Sequence, residues 1–281
     1  MKKILIVLAL FVAPFVVEAQ VKTPQSSPKA ILKQTVGLTE IEINYSRPSA
    51  RGRNIFGDLV PFGKLWRTGA NENTTISFSD DVVIDGKTLK KGKYSIYSIP
   101  KIENWEVIFY KTTDNWGLPQ EWNDANVALR ANAKENVLSN PVETFTIEIG
   151  SLDNNFAFLE MLWGNSHVAL KFEVPTQKLA TESIEKVLAG PTSADYFSAA
   201  QYLYQSNGDY AKALVYVNKA LEMSSDKPFW YNRQKSLIQA KLGDKQGAIE
   251  SAKLSLEAAE IAKNQDSAQM TKGRRVEWSK K

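Results

Sequence analysis

The sequence predicts an antiparallel β-sandwich followed by a small array of α-helical hairpins. Three observations carry that reading. Apolar residues alternate with polar ones from Ala30 to Val174. The period changes to that of amphipathic helices after Pro175. The helical part then repeats itself, with Gly208-Asp209 returning as Gly243-Asp244.

The alternation is clearest in three runs. Ile41, Ile43 and Tyr45 are interleaved with Glu40, Glu42 and Asn44. Phe145, Ile147 and Ile149 are interleaved with Thr144, Thr146 and Glu148, and Val168, Leu170, Phe172 and Val174 follow the same rule. Side chains on a strand point to opposite faces in turn, so each run has one buried and one wet face. Around Trp105, Val107 and Phe109 the second face is apolar too, through Ile108 and Tyr110. Turn signals separate the runs. Asp85-Gly86 lies between Val82-Val83-Ile84 and Thr88-Leu89, a short-hairpin signature. Lys91-Gly92 opens the strand Lys93–Ile99, Pro100 closes it, and Asp153-Asn154-Asn155 divides Phe145–Ile149 from Phe156–Trp163. Many short strands with close turns indicate a sandwich, with a barrel as the alternative.

From Thr176 to Asn264 glycine and proline become sparse, and Ala, Leu, Lys, Glu and Gln dominate. Gly190-Pro191 breaks the first helix, and Thr192 or Ser193 is placed to cap the next. Tyr196–Leu221 is echoed by Trp230–Leu256, with Ala213 matched by Ala248. Each unit is a helix, a tight Gly-Asp turn and a second helix carrying a small alanine. This region resembles tetratricopeptide repeats, with departures at Ala200, Gln201 and Ser255. Two such units are fewer than a free-standing solenoid uses, so the helices are expected to lean on the β domain or on a protein partner bound through residues 193–263. The segment 265–281 reads as a polar, basic tail.

The first nineteen residues read as a signal peptide: Lys2 and Lys3, an apolar run Ile4–Val17, and Val17-Glu18-Ala19 before a cleavage point at Gln20. The run is too short for a spanning helix, which takes about twenty apolar residues. The expectation is an exported, soluble protein, periplasmic or secreted, with no stable membrane anchor after cleavage. Residues 20–28 read as a flexible lead-in, and the β domain is assigned to 29–175. Cysteine is absent, which removes lipid anchoring through cysteine, disulfides, thiolate metal sites and a cysteine nucleophile. The formal charge of +4 is mild and no dense Lys/Arg tract exists, so nucleic acid is a poor candidate partner. No fingerprint for a cofactor is present, and none is expected.

Ser46–Thr74, SRPSARGRNIFGDLVPFGKLWRTGANENT, has no clean period. A connection this long in a compact domain is functional or disordered. Ile55, Phe56, Leu59, Val60, Phe62, Leu65 and Trp66 favour burial, which argues for order. Its charge is skewed: Arg47, Arg51, Arg53, Lys64 and Arg67 face only Asp58 and Glu72. Guanidinium forks suit carboxylate, phosphate or sulfate, and Trp66 offers a stacking surface. The candidate ligand-binding residues are therefore Arg47, Arg51, Arg53, Trp66, Arg67, Thr68, Asn71 and Glu72. The competing reading is that these arginines satisfy loop carbonyls and Trp66 plugs the core.

The run Ser46–Ser79 with GKTLKKGKYSIYSIP and NWEVIFYK resembles the exported bacterial family called domain of unknown function 2911, over about Ser27 to Val174. The resemblance implies that Arg51, Gly52, Arg53, Trp66, Arg67, Thr68, Gly69, Asn71 and Glu72 belong to that family's hallmark motif. It implies no activity.

Other chemistry is demoted. His167, the single histidine, reads as a surface or strand-end residue and lacks a nucleophile motif. Asp80-Asp81 with Asp85, and Asp114-Asn115, read as turns rather than a calcium site. Trp105, Trp116, Trp122 and Trp163 read as core packing before a sugar cleft. Three readings follow in order: a non-catalytic module binding a small anionic or sugar-like ligand, a protein-interaction scaffold acting through the helices, and a hydrolase using Glu72.

Overall fold

The computed structural model describes residues 23–187 and 190–279, with side chains through Lys272. The expected leader lies outside the described residues.

Among the described residues nine antiparallel strands form one hydrogen-bonded sheet. In chain order they are β1 (Lys29–Val36), β2 (Thr39–Ser46), β3 (Thr75–Phe78), β4 (Val82–Ile84), β5 (Lys87–Leu89), β6 (Gly92–Pro100), β7 (Asn104–Tyr110), β8 (Val127–Gly150) and β9 (Phe156–Glu173). Their order across the sheet is β1-β2-β3-β6-β7-β8-β9-β4-β5. The sheet folds over on itself through the long strands. The first part of β8 pairs with β7 and the remainder with β9, with register shifts between Val137 and Val142 and between Val142 and Thr146. As a result Phe78 of β3 meets Phe172 of β9, with ring centroids 5.8 Å apart. Tyr45 of β2 reaches β8, where its hydroxyl donates to the Ile147 carbonyl (3.2 Å) and accepts from the Ile147 amide (3.1 Å). One apolar core joins residues from both halves, including Ile43, Ile76, Ile84, Trp105 and Phe172.

The Asp85-Gly86 turn is a tight hairpin in which both residues have positive φ, 51° and 71°. Its twist matches that of the flanking strands. The second apolar face of β7 is explained by a separate small core, Tyr97, Ile108 and Tyr110, covered by Leu65, Trp122 and Val127. β9 is one strand where the sequence suggests two. Its buried phase slips by one residue at Gly164-Asn165, where Gly164 adopts φ +57°, so alternate burial resumes from Ser166.

Among the described residues six α-helices follow: α1 (Thr176–Val187), α2 (Ser193–Gln205), α3 (Tyr210–Met223), α4 (Phe229–Lys241), α5 (Lys245–Ile261) and α6 (Gln265–Ser279). Asp209 and Asp244 cap α3 and α5 by accepting from Lys212 N and Gly247 N. Thr192 and Asp195 form a capping box on α2. Ala213 and Ala248 are fully buried at their helix contacts. α1 is tied to the β domain by Thr176, whose hydroxyl bonds to the Asn154 carbonyl and fills the space a Cβ would take at Gly37. Within the segment expected as a polar, basic tail, α6 is capped by Asn264 and tied to α5 by Lys272–Glu260 at 2.9 Å. Among the described residues no helix is long and apolar enough to cross a membrane.

Candidate functional site

The loop 46–74 is ordered because it is stitched to both halves of the sheet. Its first stretch runs along the free edge of β8, with Ala50 N donating to Glu143 O and Phe145 N to Pro48 O, both at 2.8 Å. Ile55–Val60 close a compact turn through Val60 N to Ile55 O (2.8 Å). Trp66 exchanges backbone hydrogen bonds with Ser98 of β6 at 2.8 and 2.9 Å. Of the loop's apolar residues, Ile55 and Val60 are buried as expected, whereas Leu59 and Phe62 stay exposed.

Between this loop, the lead-in and Leu118 lies a cleft of about 460 Å³. That is within the usual range for small-molecule sites, roughly 300–1,000 Å³. Its cationic side is Arg51, Arg53 and Arg67; its apolar side is Leu59, Val60, Leu65, Leu118, Trp66 and Trp163; Ser26, Ser27 and Ser49 supply hydroxyls. Among the described residues no aspartate, glutamate or histidine lines it.

The structure divides the sequence-predicted residues. Arg51, Arg53, Trp66 and Arg67 line the cleft. Arg53 is partly committed, donating to Ala50 O (2.9 Å) and Ser49 O (2.7 Å). Arg51 donates to the Ser26 carbonyl at 3.3 Å, and its backbone amide holds Glu143 at 2.8 Å. The Arg67 guanidinium lies over Gly117 and has no hydrogen-bond or ion-pair partner among the described residues. Gly117 has φ +90°, and a Cβ there would sit 2.8 Å from Arg67 Nη1.

Four predicted residues do not line the cleft. Arg47 ties the two sheet halves, donating to Phe145 O (3.0 Å) and Thr146 Oγ1 (2.7 Å). Thr68 is fully buried with φ +52°, held by Ser98 Oγ at 2.9 Å and by Thr74 Oγ1, which donates to its carbonyl at 2.6 Å. A β-branched residue in that conformation is strained. Asn71 also has positive φ and donates to the Ser27 carbonyl at 3.0 Å. Glu72 pairs with Lys29 at 2.6 Å, and that hydrogen bond holds its carboxyl below the usual range. Its side chain is partly exposed, yet Oε2 is sealed off without a partner. The hydrolase reading loses its acid here, because Glu72 faces Lys29 rather than the cleft. Asp58 is exposed and outside the lining, and Glu106 is engaged by Arg130 at 2.6 Å.

Part of the expected lead-in belongs to the site. Ser26 and Ser27 line the cleft, and the carbonyls of Ser26, Ser27 and Pro28 accept from Arg51, Asn71 and Arg47 N. Sequence reasoning missed Asn73, whose local pattern gives no clue to its role. Its buried side chain, oriented to satisfy both ends, donates to Asn115 O (3.1 Å) and Gly117 O (2.6 Å) and accepts from Ser95 and Tyr97 hydroxyls. It thereby fixes the segment that carries Gly117 and Leu118.

Trp66 sits in an aromatic box. It stacks on Trp163 (6.0 Å, 19°) and meets Phe56, Trp105 and Phe145 edge-on. Trp105 and Trp163 are core residues as expected, while Trp116 is exposed against expectation. His167 lies within β9, not at a strand end, and its Nε2 is 2.8 Å from Glu160 Oε2. The phase slip at Gly164 turns His167 to the face on which Glu160 already lies. Asp80 and Asp81 tie turns, Asp81 taking Lys90 Nζ at 2.9 Å and Lys91 N at 2.8 Å.

The sequence model of the family described as "Protein of unknown function (DUF2911)" matches residues 27–172, more than half of the chain. The chain belongs to this family. The DUF2911 region spans the whole cleft lining except Ser26, and it excludes the helical array. No curated protein and no solved structure matches the chain.

Proposed function

We propose that the DUF2911 domain is a non-catalytic binding module that holds a small anionic or sugar-like ligand in the cleft beneath loop 46–74. The observation that carries this reading is Arg67. Arg47 of the same loop is consumed by fold-holding contacts, whereas the Arg67 guanidinium lines a cleft without a partner among the described residues. An arginine used only for the fold would be expected to spend its donors on carbonyls or carboxylates. The domain's rigid sheet and the stitched loop would present that group with little ordering on binding. The leader's composition supports a site of action outside the cytoplasm.

The test is ligand-induced thermal stabilisation across a panel of organic acids, phosphates and oligosaccharides, with wild type and Arg67→Ala side by side. A ligand that stabilises wild type but not the variant supports the reading. Collapse of the unliganded variant's melting temperature would make Arg67 a fold residue and remove the reading's basis.

A further inference from the structure

We infer that, of the ligand chemistries a cationic cleft with tryptophans suggests, this one takes an amphipathic organic anion: a carboxylate or phosphate group on a compact aliphatic body. The inference rests on the cleft reading above and narrows it.

The charge argument comes first. The lining holds three guanidinium groups, and among the described residues no acidic side chain shares it to offset them. None is ion-paired. Arg130, by contrast, is held between Glu106 and Asp124 at 2.6 and 2.8 Å. Toward the described residues Arg67 keeps its whole fork of donors free and Arg51 keeps most of its own. A carboxylate or phosphate accepts such forks in pairs, which a hydroxyl does not.

The apolar argument selects what carries the charge. Leu59 and Leu118 flank the cleft and are 42% and 48% exposed. Large aliphatic side chains left in water beside a cationic group gain from covering by an aliphatic body. Inorganic anions offer none.

A neutral saccharide fits poorly on two counts. Its hydroxyls are best met by carboxylate or amide acceptors, and among the described residues the cleft offers serine hydroxyls but no Asp, Glu, Asn or Gln side chain. Its ring needs an open aromatic face, and Trp66 is enclosed by Phe56, Trp105, Phe145 and Trp163. Both cleft indole N–H groups are spent inward, Trp66 on Gly69 O and Trp163 on Glu143 O, each at 3.2 Å.

Isothermal titration of the full chain with octanoate, octyl phosphate, octanamide, inorganic phosphate and chitotriose tests this. Octanoate or octyl phosphate should bind, with affinity falling as salt rises. Octanamide, inorganic phosphate and chitotriose should bind at least about tenfold more weakly, the scale of one lost charge-assisted hydrogen bond. Which of the two anions binds more tightly separates a carboxylate source from a phosphate source. Arg67→Ala should weaken the anion about tenfold or more. Arg67→Lys, which keeps the charge but removes the fork, should recover part of that loss and serves as the folding control. Equal binding of octanamide or chitotriose, lost on Leu118→Asp but not on Arg67→Ala, would overturn the anion inference and leave the cleft reading standing. Inorganic phosphate binding as tightly as octyl phosphate would overturn the aliphatic half. Absence of binding by every probe, or binding that neither Arg67→Ala nor Leu118→Asp alters, would remove the cleft reading as well.

Discussion

Gly69 adopts φ +146°, a conformation that side chains rarely tolerate. A Cβ at that position would stand 2.8 Å from Thr74 Oγ1 and 3.2 Å from the Ser46 carbonyl. Neither neighbour can yield cheaply. Thr74 is fully buried and its hydroxyl donates to Thr68 O at 2.6 Å, and Ser46 ends strand β2. Gly69→Ala therefore costs on two counts. The alanine is held in the glycine conformation, at about 1–3 kcal/mol of backbone strain, and its Cβ displaces Thr74 from its hydrogen bond to Thr68, at about 1–3 kcal/mol for a buried group left unpaired. The two are coupled, so the expected loss is about 2–4 kcal/mol rather than their full sum. Urea unfolding followed by tryptophan fluorescence measures it, since Trp66 donates to the Gly69 carbonyl and reports on the same turn. The midpoint should fall with an unchanged slope. A loss below about 0.5 kcal/mol, typical of unconstrained surface positions, would refute the claim that this turn is rigidly held.

Arg47→Ala should destabilise by about 1.5–3 kcal/mol, because it removes two charge-assisted hydrogen bonds to β8; urea unfolding checks this, and binding in the cleft should persist. Tyr45→Phe should lose about 1–3 kcal/mol by leaving the buried Ile147 amide and carbonyl without their side-chain partner, seen as a lower melting temperature. The Glu72 carboxyl sits below its ordinary value because of Lys29, so its stabilisation is complete above the unfolded carboxylate pKa and is lost as pH falls through the lowered folded one. The pair is 59% and 39% exposed, which limits the effect to about 1 kcal/mol or less. Comparing wild type with Glu72→Gln from pH 7 down to about pH 3 should show the stability difference shrinking toward the acid end.

Much of the β domain is legible because its strands carry one wet face: β2, the end of β8 and the end of β9 alternate as their burial does. The Asp85-Gly86 hairpin and the Gly-Asp helix turns are local chemistry and read equally well. The first half of β8 is harder, since its inward positions are Leu129, Ala131 and Ala133, and alanine is a weak strand signal. The slip at Gly164 hides that β9 is one strand, because a bulge changes the phase that alternation relies on. The helix at Gln265–Ser279 follows from packing on α5 rather than from composition. The candidate site was legible as a segment but not residue by residue. Arg47 and Arg67 look alike in sequence, yet the acceptors of Arg47 lie 98 and 99 positions away. Glu72 likewise looks available until Lys29 is seen beside it. Contacts of that range are set by the sheet's fold and leave no mark on local pattern.

The central claim is that Arg67 is held ready for a ligand rather than for the fold. The most direct measurement is the pair of free energies for Arg67→Ala: unfolding in urea without ligand, and binding of octanoate or octyl phosphate by calorimetry. The account predicts a stability change within about 0.5 kcal/mol, as for a side chain with no partner to lose, together with at least about a tenfold loss of affinity. A stability loss of about 2 kcal/mol or more, with anion affinity unchanged in the folded variant, would contradict it.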